Sequence, residues 1–356
     1  MKLNTNANLT PLWLQHDKFK RPVSPDNMTS ASSEGTEASF AFDGEIFVKG
    51  NIAVHPTGVV MRGHPTSFTV VHEELSTGDI IGRGASSTVR AATHMPSSTR
   101  LALKHVNVYD KARRDELVRE ITLLYDSAAC PSLVRFYGAF YREGTIRIAL
   151  EYMDGGSLAN VVRQVGARGV PERVLAAMAF QVLWGLAHLK HRRRLHRDLK
   201  PSNLLINSAG RVKLSDFGIS TELQSSIAMC STFVGTFKYM SPERIRHAPY
   251  GHSADIWSAG VSLAEVALGA YPFPGARTHF EVMQCVLDGD VVAPCRGVVS
   301  EACCEWIGSC CDKDPAKRLP ADILLGSPWL QQHGVQCEWP TVPRVPPPPA
   351  TATAAI

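Results

Sequence analysis

His196-Arg197-Asp198-Leu199-Lys200-Pro201-Ser202-Asn203 decides how this chain is read. Its residue types suit one chemistry. Asp198 can accept the proton of a substrate hydroxyl and aim the oxygen in line with a γ-phosphate. Lys200 can neutralise charge on the transferring phosphoryl group, and Asn203 offers a neutral oxygen to Mg²⁺. The eight residues fit the catalytic-loop pattern H-R-D-L-x-x-x-N.

Working outward, Asp216-Phe217-Gly218 follows the apolar Val212 and Leu214, which places a second acidic metal ligand, Asp216, at the end of a short strand. Upstream, Lys104 ends the apolar run Leu101-Ala102-Leu103. A lysine there is either a solvated strand-edge residue or an ammonium held inside a cleft. Glu116 and Glu120 share one face of the next amphipathic segment, residues 111 to 126. Glu120 is the expected partner of Lys104, because Ile121 and Leu124 turn that part of the helix inward. Glu116 reads as a surface residue. Gly82-Arg83-Gly84 opens a turn between strand-like runs, where two glycines let the backbone approach an anion. Ser87 stands where a third glycine is usual.

The frame around these motifs is that of an ordinary globule. The chain has 356 residues, 44% hydrophobic and 20% charged, with a net charge of +4. The charge is too mild to point to nucleic acid, and no apolar run is long enough to insert in a membrane. Nine cysteines and no secretory signal predict reduced thiols and a cytoplasmic chain. Residues 1–38 read as a disordered extension. Residues 39–66 read as a pre-domain segment with one or two short strands. Residues 67–331 form the main domain, and 332–356 a proline-rich tail. Thr69-Val70-Val71, Ser87 to Arg90, Arg100 to Val106 and Ile146 to Leu150 read as strands; beyond Gly155-Gly156 helical spacing dominates. The expected fold is α+β and bilobal: a small β-rich lobe with one main helix, near 67–150, then a larger helical lobe, near 154–331.

With these motifs on the page, the chain resembles the eukaryotic protein kinases. Four stretches carry a closer likeness to the MAP kinase kinases: residues 136–140 (FYGAF), 151–158 (EYMDGGSL), 200–203 (KPSN) and 233–244 (FVGTFKYMSPER). The resemblance implies ATP and Mg²⁺ as cofactors. It implies an ATP site made by Ile81, Gly82, Arg83, Gly84, Ala85, Ser86, Ser87 and Val89 over the phosphates. The adenine would lie on backbone groups of Glu151 and Met153, with Leu150 as gatekeeper and Ala102 and Leu205 above and below the base. His196, Arg197, Phe217, Gly218 and Thr236 would be structural, with Glu243 paired to Arg318 and Asp255 bracing the catalytic loop.

The resemblance further implies dual specificity toward Thr and Tyr of a T-x-Y loop, with a MAP kinase as substrate and a MAP kinase kinase kinase upstream. Ser226 and Thr232, separated by five residues, match the plant-type spacing of regulatory phosphosites. Phosphate on Thr232 could pair with Arg197. The alternatives are another serine/threonine kinase of the same broad group, or a MAP kinase-binding pseudokinase scaffold. Cys303-Cys304 and Cys310-Cys311 invite a zinc reading, but their spacing favours buried core thiols. Leu12-Trp13-Leu14 offers the aliphatics of a docking motif without its usual basic patch.

Overall fold

The computed structural model describes residues 20–22, 41–43, 46–49, 52–61, 66–68, 70–84, 87–108, 111–126, 130–216, 237–276 and 278–335. Ala85, Ser86, Phe217, Gly218, Ser226, Thr232 and Thr236 lie outside them, as do the 12–14 motif and the proline tail.

The sequence understated the leading part of the chain. Short strands β1 (Lys20–Pro22), β2 (Ala41–Asp43), β3 (Ile46–Lys49), β4 (Ile52–His55), β5 (Gly58–Met61) and β6 (Thr66–Phe68) form one antiparallel sheet in the order β1-β6-β5-β4-β3-β2. This corrects two expectations. Four strands, not one or two, fall between residues 41 and 61. Lys20–Pro22, within the extension expected to be disordered, pairs with Thr66–Phe68. A polar three-residue run carries no period-2 signal of its own, and its partner lies far along the chain. Val70 and Val71 fall outside the strands, after β6. Phe47, Ile52, Val54, Val59 and Met61 supply a buried face.

The second sheet runs β10-β11-β9-β8-β7, all antiparallel, from β7 (Leu75–Arg83), β8 (Ser87–His94), β9 (Thr99–Asn107), β10 (Phe136–Arg142) and β11 (Thr145–Glu151). β10 packs against β4, β5 and β6, so the two sheets share a core that buries Phe136 and Phe140 completely. That double cover explains why β10 was not legible: its first six residues are all buried, so no alternation marks it. Helix α1 (Lys111–Asp126) crosses between β9 and β10 with Leu117, Ile121 and Leu124 buried.

After Glu151 the chain becomes helical: α2 (Leu158–Val165), α3 (Glu172–His191), α4 (Pro242–Ile245), α5 (His252–Leu268), α6 (His279–Asp288), α7 (Glu301–Cys310), α8 (Ala321–Leu325) and α9 (Pro328–Gln332). A hairpin of β12 (Leu204–Ile206) and β13 (Val212–Leu214) interrupts them. The long apolar α3 and α5 pack together as the centre of this lobe. Gly260 lets α7 come close: a Cβ there would lie 2.6 Å from Cys310 Cβ and Cys311 Sγ. Cys303, Cys304, Cys310 and Cys311 are all buried in that core. The fold is the expected bilobal α+β arrangement, with a five-stranded lobe carrying α1 and a helical lobe below it.

Candidate active site

Strand register builds the roof of the cleft. Residues directly opposed in an antiparallel pair share a face. Val89 opposes Lys104, which opposes Ile148; Ala91 opposes Ala102, which opposes Leu150. One face of the sheet thus carries Val89, Ala102, Leu150 and the cation Lys104. At the loop end, Gly84 N–H donates to the Ser87 carbonyl at 2.8 Å, closing the turn; Ser87 itself is the first residue of β8. Gly82 and Arg83 end β7, and Ile81 beside them is half exposed.

Lys104 is buried, as is Glu120 on α1, and its Nζ donates to Glu120 Oε1 at 2.6 Å and to Asp216 Oδ1 at 2.7 Å. Burial alone would push the ammonium down. The carboxylates of Asp216 and Glu120 more than offset that and hold it above its ordinary pKa. The same ammonium draws the Asp216 carboxyl below the usual carboxylate range. Strand, helix and the Asp216 loop therefore meet on one charge.

The catalytic loop sits below. Asn203 Nδ2 donates to Asp198 Oδ2 at 3.0 Å and to the Asp198 carbonyl at 2.8 Å, and Lys200 Nζ lies 2.8 Å from the same carboxylate oxygen. Ser215 N–H donates to the Asn203 carbonyl at 2.9 Å, tying this loop to Asp216. Two non-glycine residues here hold positive φ, Arg197 at 70° and Asp216 at 54°. Such backbone costs roughly 1–2 kcal/mol per residue and needs external support. For Arg197 the support is visible. Asp255, near the start of α5, accepts from the backbone N–H of His196 at 2.8 Å and of Arg197 at 2.9 Å. Arg244 Nη1 donates to the Arg197 carbonyl at 2.6 Å. Burial holds the adjoining His196 imidazole below its ordinary pKa. Glu243 and Arg318 form a two-pronged ion pair, 2.7 Å on each arm, with the guanidinium also donating to the Asp312 and Ser253 carbonyls.

At the back of the cleft, Glu151 N–H donates to the Arg135 carbonyl at 2.9 Å, and the Met153 carbonyl accepts from Gly156 N–H at 3.2 Å. Leu205 is bridged to Ser157 just beneath. Gly155 is needed where the hinge meets β12, because a Cβ would come within 2.8 Å of the Ile206 carbonyl oxygen.

The structure thus brings together Lys104, Glu120, Asp198, Lys200, Asn203 and Asp216, the apolar Val89, Ala102 and Leu150, and the two supporting pairs at Asp255 and at Glu243–Arg318. Three contributors went unread in the sequence. Arg244 holds the Arg197 carbonyl. Lys213 on β13 reaches Glu151 Oε2 at 2.6 Å. Tyr239 donates to Glu265 Oε2 at 2.6 Å, anchoring the start of α4 to α5. Lys213 did carry a signal: a lysine inside a three-residue strand that is buried throughout needs a buried partner.

The donor set fits a magnesium nucleotide. Asp216 and Asn203 present hard oxygen ligands, and Lys104 is a held positive charge beside them. The apolar face above and Leu205 below suit a planar base.

The family described as Protein kinase domain matches residues 75–330. Among curated proteins, Mitogen-activated protein kinase kinase 3 of Arabidopsis thaliana is 43% identical over 271 residues. That match covers 75% of this chain and 52% of the relative, so the chain spans about half of that protein's length. Mitogen-activated protein kinase kinase 2 of Arabidopsis thaliana is 37% identical over 320 residues, covering 85% of this chain and 87% of the relative. Mitogen-activated protein kinase kinase SIPKK of Nicotiana tabacum is 39% identical over 262 residues, covering 71% and 72%.

Proposed function

This chain is a protein kinase of the MAP kinase kinase family, and from that premise we propose that it phosphorylates Thr and Tyr in the T-x-Y loop of a MAP kinase, at the expense of ATP and Mg²⁺. The observation that carries this reading is the three-way contact of Lys104 with Glu120 and Asp216 above an ordered Asp198–Asn203 loop. That geometry argues for a working kinase over a pseudokinase scaffold.

When bound, the magnesium nucleotide supplies the phosphoryl group. Lys104 would hold its phosphates and Asp216 and Asn203 the metal, with Ile81, Gly82, Arg83, Gly84, Ala85, Ser86, Ser87 and Val89 the residues proposed for the phosphate side. Glu151 and Met153 hold the base through their backbone, between Ala102 and Leu205. Asp198 accepts the proton of the substrate hydroxyl, and Lys200 steadies the charge that develops beside it.

Activation follows from a charge that awaits a partner. Arg197 Nε is buried without a hydrogen bond. Phosphate on Thr232, with Ser226 as the companion site, would give that guanidinium a charge-assisted partner. A MAP kinase kinase kinase supplies those phosphates. The protein works in the cytoplasm; among the described residues no helix is long and apolar enough to cross a membrane.

The test is phosphopeptide mapping of inactive MAP kinases incubated with Mg-ATP and the Ser226→Asp/Thr232→Asp protein. Paired Thr and Tyr phosphorylation on one T-x-Y loop is expected. Phosphate confined to serine and threonine of generic substrates would assign the chain to another kinase group.

A further inference from the structure

The hinge, residues 151 to 156, is gripped from both lobes. Arg100, the second residue of β9, lays its guanidinium over the ring of Tyr152, with Cζ 4.2 Å from the ring centre. A cation at that distance is attracted to the face of the ring. The register explains the meeting. Leu101 opposes Glu151 across the β9–β11 ladder, so Arg100 stands level with the residue at which the chain leaves β11. Two residues later the Asp154 carboxylate accepts from the backbone N–H of Ser208 at 2.8 Å, in the turn between β12 and β13. The Ser208 hydrogen bonds, and to a lesser degree the charge of Arg100, hold the Asp154 carboxyl below its ordinary range.

Met153 lies between these two grips and is buried. The residues after it are tied to the lower lobe by backbone bonds: Gly155 N–H donates to the Ile206 carbonyl at 3.0 Å, and Ile206 N–H to the Gly156 carbonyl at 2.8 Å. Beyond β11 the upper lobe grips the hinge through the Arg100 side chain. Arg100 also shares a strand face with Ala102 and Lys104, since alternate residues of β9 point the same way. The contact with Tyr152 therefore fixes how the hinge peptides stand relative to the strand that carries the roof of the cleft. A site whose parts are already in place binds more tightly, because less freedom is lost when the ligand arrives.

We propose that Arg100 is a positioning residue for the adenine nucleotide: through Tyr152 it holds the Met153 backbone where the base is received, and so sets nucleotide affinity. The inference rests on the ATP site proposed above. Arg100 and Tyr152 belong to neither the Lys104–Glu120–Asp216 contact nor the Asp198–Asn203 loop. The phosphoryl-transfer step itself should therefore not depend on them.

The experiment uses the full chain. It measures dissociation constants for Mg-ADP and for adenosine by calorimetry, and kcat and KM for ATP in phosphotransfer to an inactive MAP kinase. Arg100→Gln and Tyr152→Leu should each weaken both ligands about two- to fivefold, the size of an exposed cation–π contact. KM for ATP should rise by the same factor, while kcat and the melting temperature stay at wild-type values. Adenosine should lose as much as Mg-ADP, because the hinge receives the base and not the phosphates. Arg100→Lys, which keeps the charge without the flat guanidinium, should recover part of the affinity, and Tyr152→Phe, which keeps the ring, should recover all of it. The double variant should lose no more than either single one, since both remove one contact. Wild-type affinity in Arg100→Gln overturns the proposal. So do additive losses in the double variant, or a fall in kcat with KM unchanged. A wild-type chain that binds no Mg-ADP would instead overturn the ATP site itself, a failure distinct from these.

Discussion

Lys213 Nζ lies 2.6 Å from Glu151 Oε2, and both side chains are largely withdrawn from water. The backbone N–H of Arg135 reaches the same oxygen at 3.2 Å. One carboxylate thus joins the hinge, the strand leading to Asp216 and the turn before β10. Burial draws the Lys213 ammonium down and Glu151 supports it. Removing one partner strands the other charge, which costs about 3–5 kcal/mol in buried pairs. Lys213→Met should lower stability by that order. It should also raise KM for ATP several-fold with a smaller change in kcat, since the damage is to the adenine side. Denaturant melts and ATP titrations check both parts, and Lys213→Arg should recover part of the loss.

Lys104 has two jobs in one position. Lys104→Met leaves Glu120 and Asp216 facing each other without a cation. Asp216→Asn removes a metal ligand while keeping the shape. Both should reduce kcat by at least about 10²–10³-fold, the usual loss for one preorganised electrostatic group. Their ADP affinities should differ by metal dependence: added Mg²⁺ should tighten nucleotide binding to Lys104→Met and not to Asp216→Asn.

Asp255 supports a strained backbone. Its two hydrogen bonds from His196 and Arg197 involve a charged acceptor, each worth roughly 1.5–3 kcal/mol. Asp255→Asn can accept only one of them and should cut kcat more than it raises KM for ATP, because the catalytic loop moves and the hinge does not. Separate kcat and KM measurements on the purified variant decide it.

Acid stability should depend on Glu172. Its carboxylate accepts from Ser300 N–H at 2.8 Å, Ser300 Oγ, Trp329 Nε1 at 2.7 Å and His333 Nε2 at 3.2 Å. Burial would raise this carboxyl, but those donors bring it down to about 2. A folded-state pKa below the unfolded value gives stability that is full above the unfolded pKa and fades as pH falls through the folded one. Glu172→Gln should therefore flatten the fall in melting temperature between about pH 4.5 and 2 and leave the slope near pH 7 unchanged. Thermal melts of both proteins across that range measure it.

How much of this was legible follows from where the information sits. His196 to Asn203 and Asp216 could be read because their chemistry demands particular residue types at fixed spacing. Helix α1 could be read because Leu117, Ile121 and Leu124 recur at helical spacing among charged residues in the sequence. β10 could not, since burial on both sides erased its periodicity. β1 could not, because Lys20–Pro22 owes its conformation to Thr66–Phe68 and not to its own residues. The groups that complete the site from a distance, Arg244 and Lys213, needed three-dimensional proximity to acquire meaning.

Arg318 grips Glu243 across 75 positions of sequence. Asp255 reaches back 59 positions to His196. Lys104, Glu120, Asp198, Lys200, Asn203 and Asp216 have all been synthesised once residue 216 leaves the ribosome, yet the braces that shape the loop come afterwards. A nascent or prematurely terminated chain that ends before Arg318 carries those side chains without all of their braces, and the proposed function predicts that it transfers no phosphate. The order of synthesis would then keep copies that end before Arg318 silent.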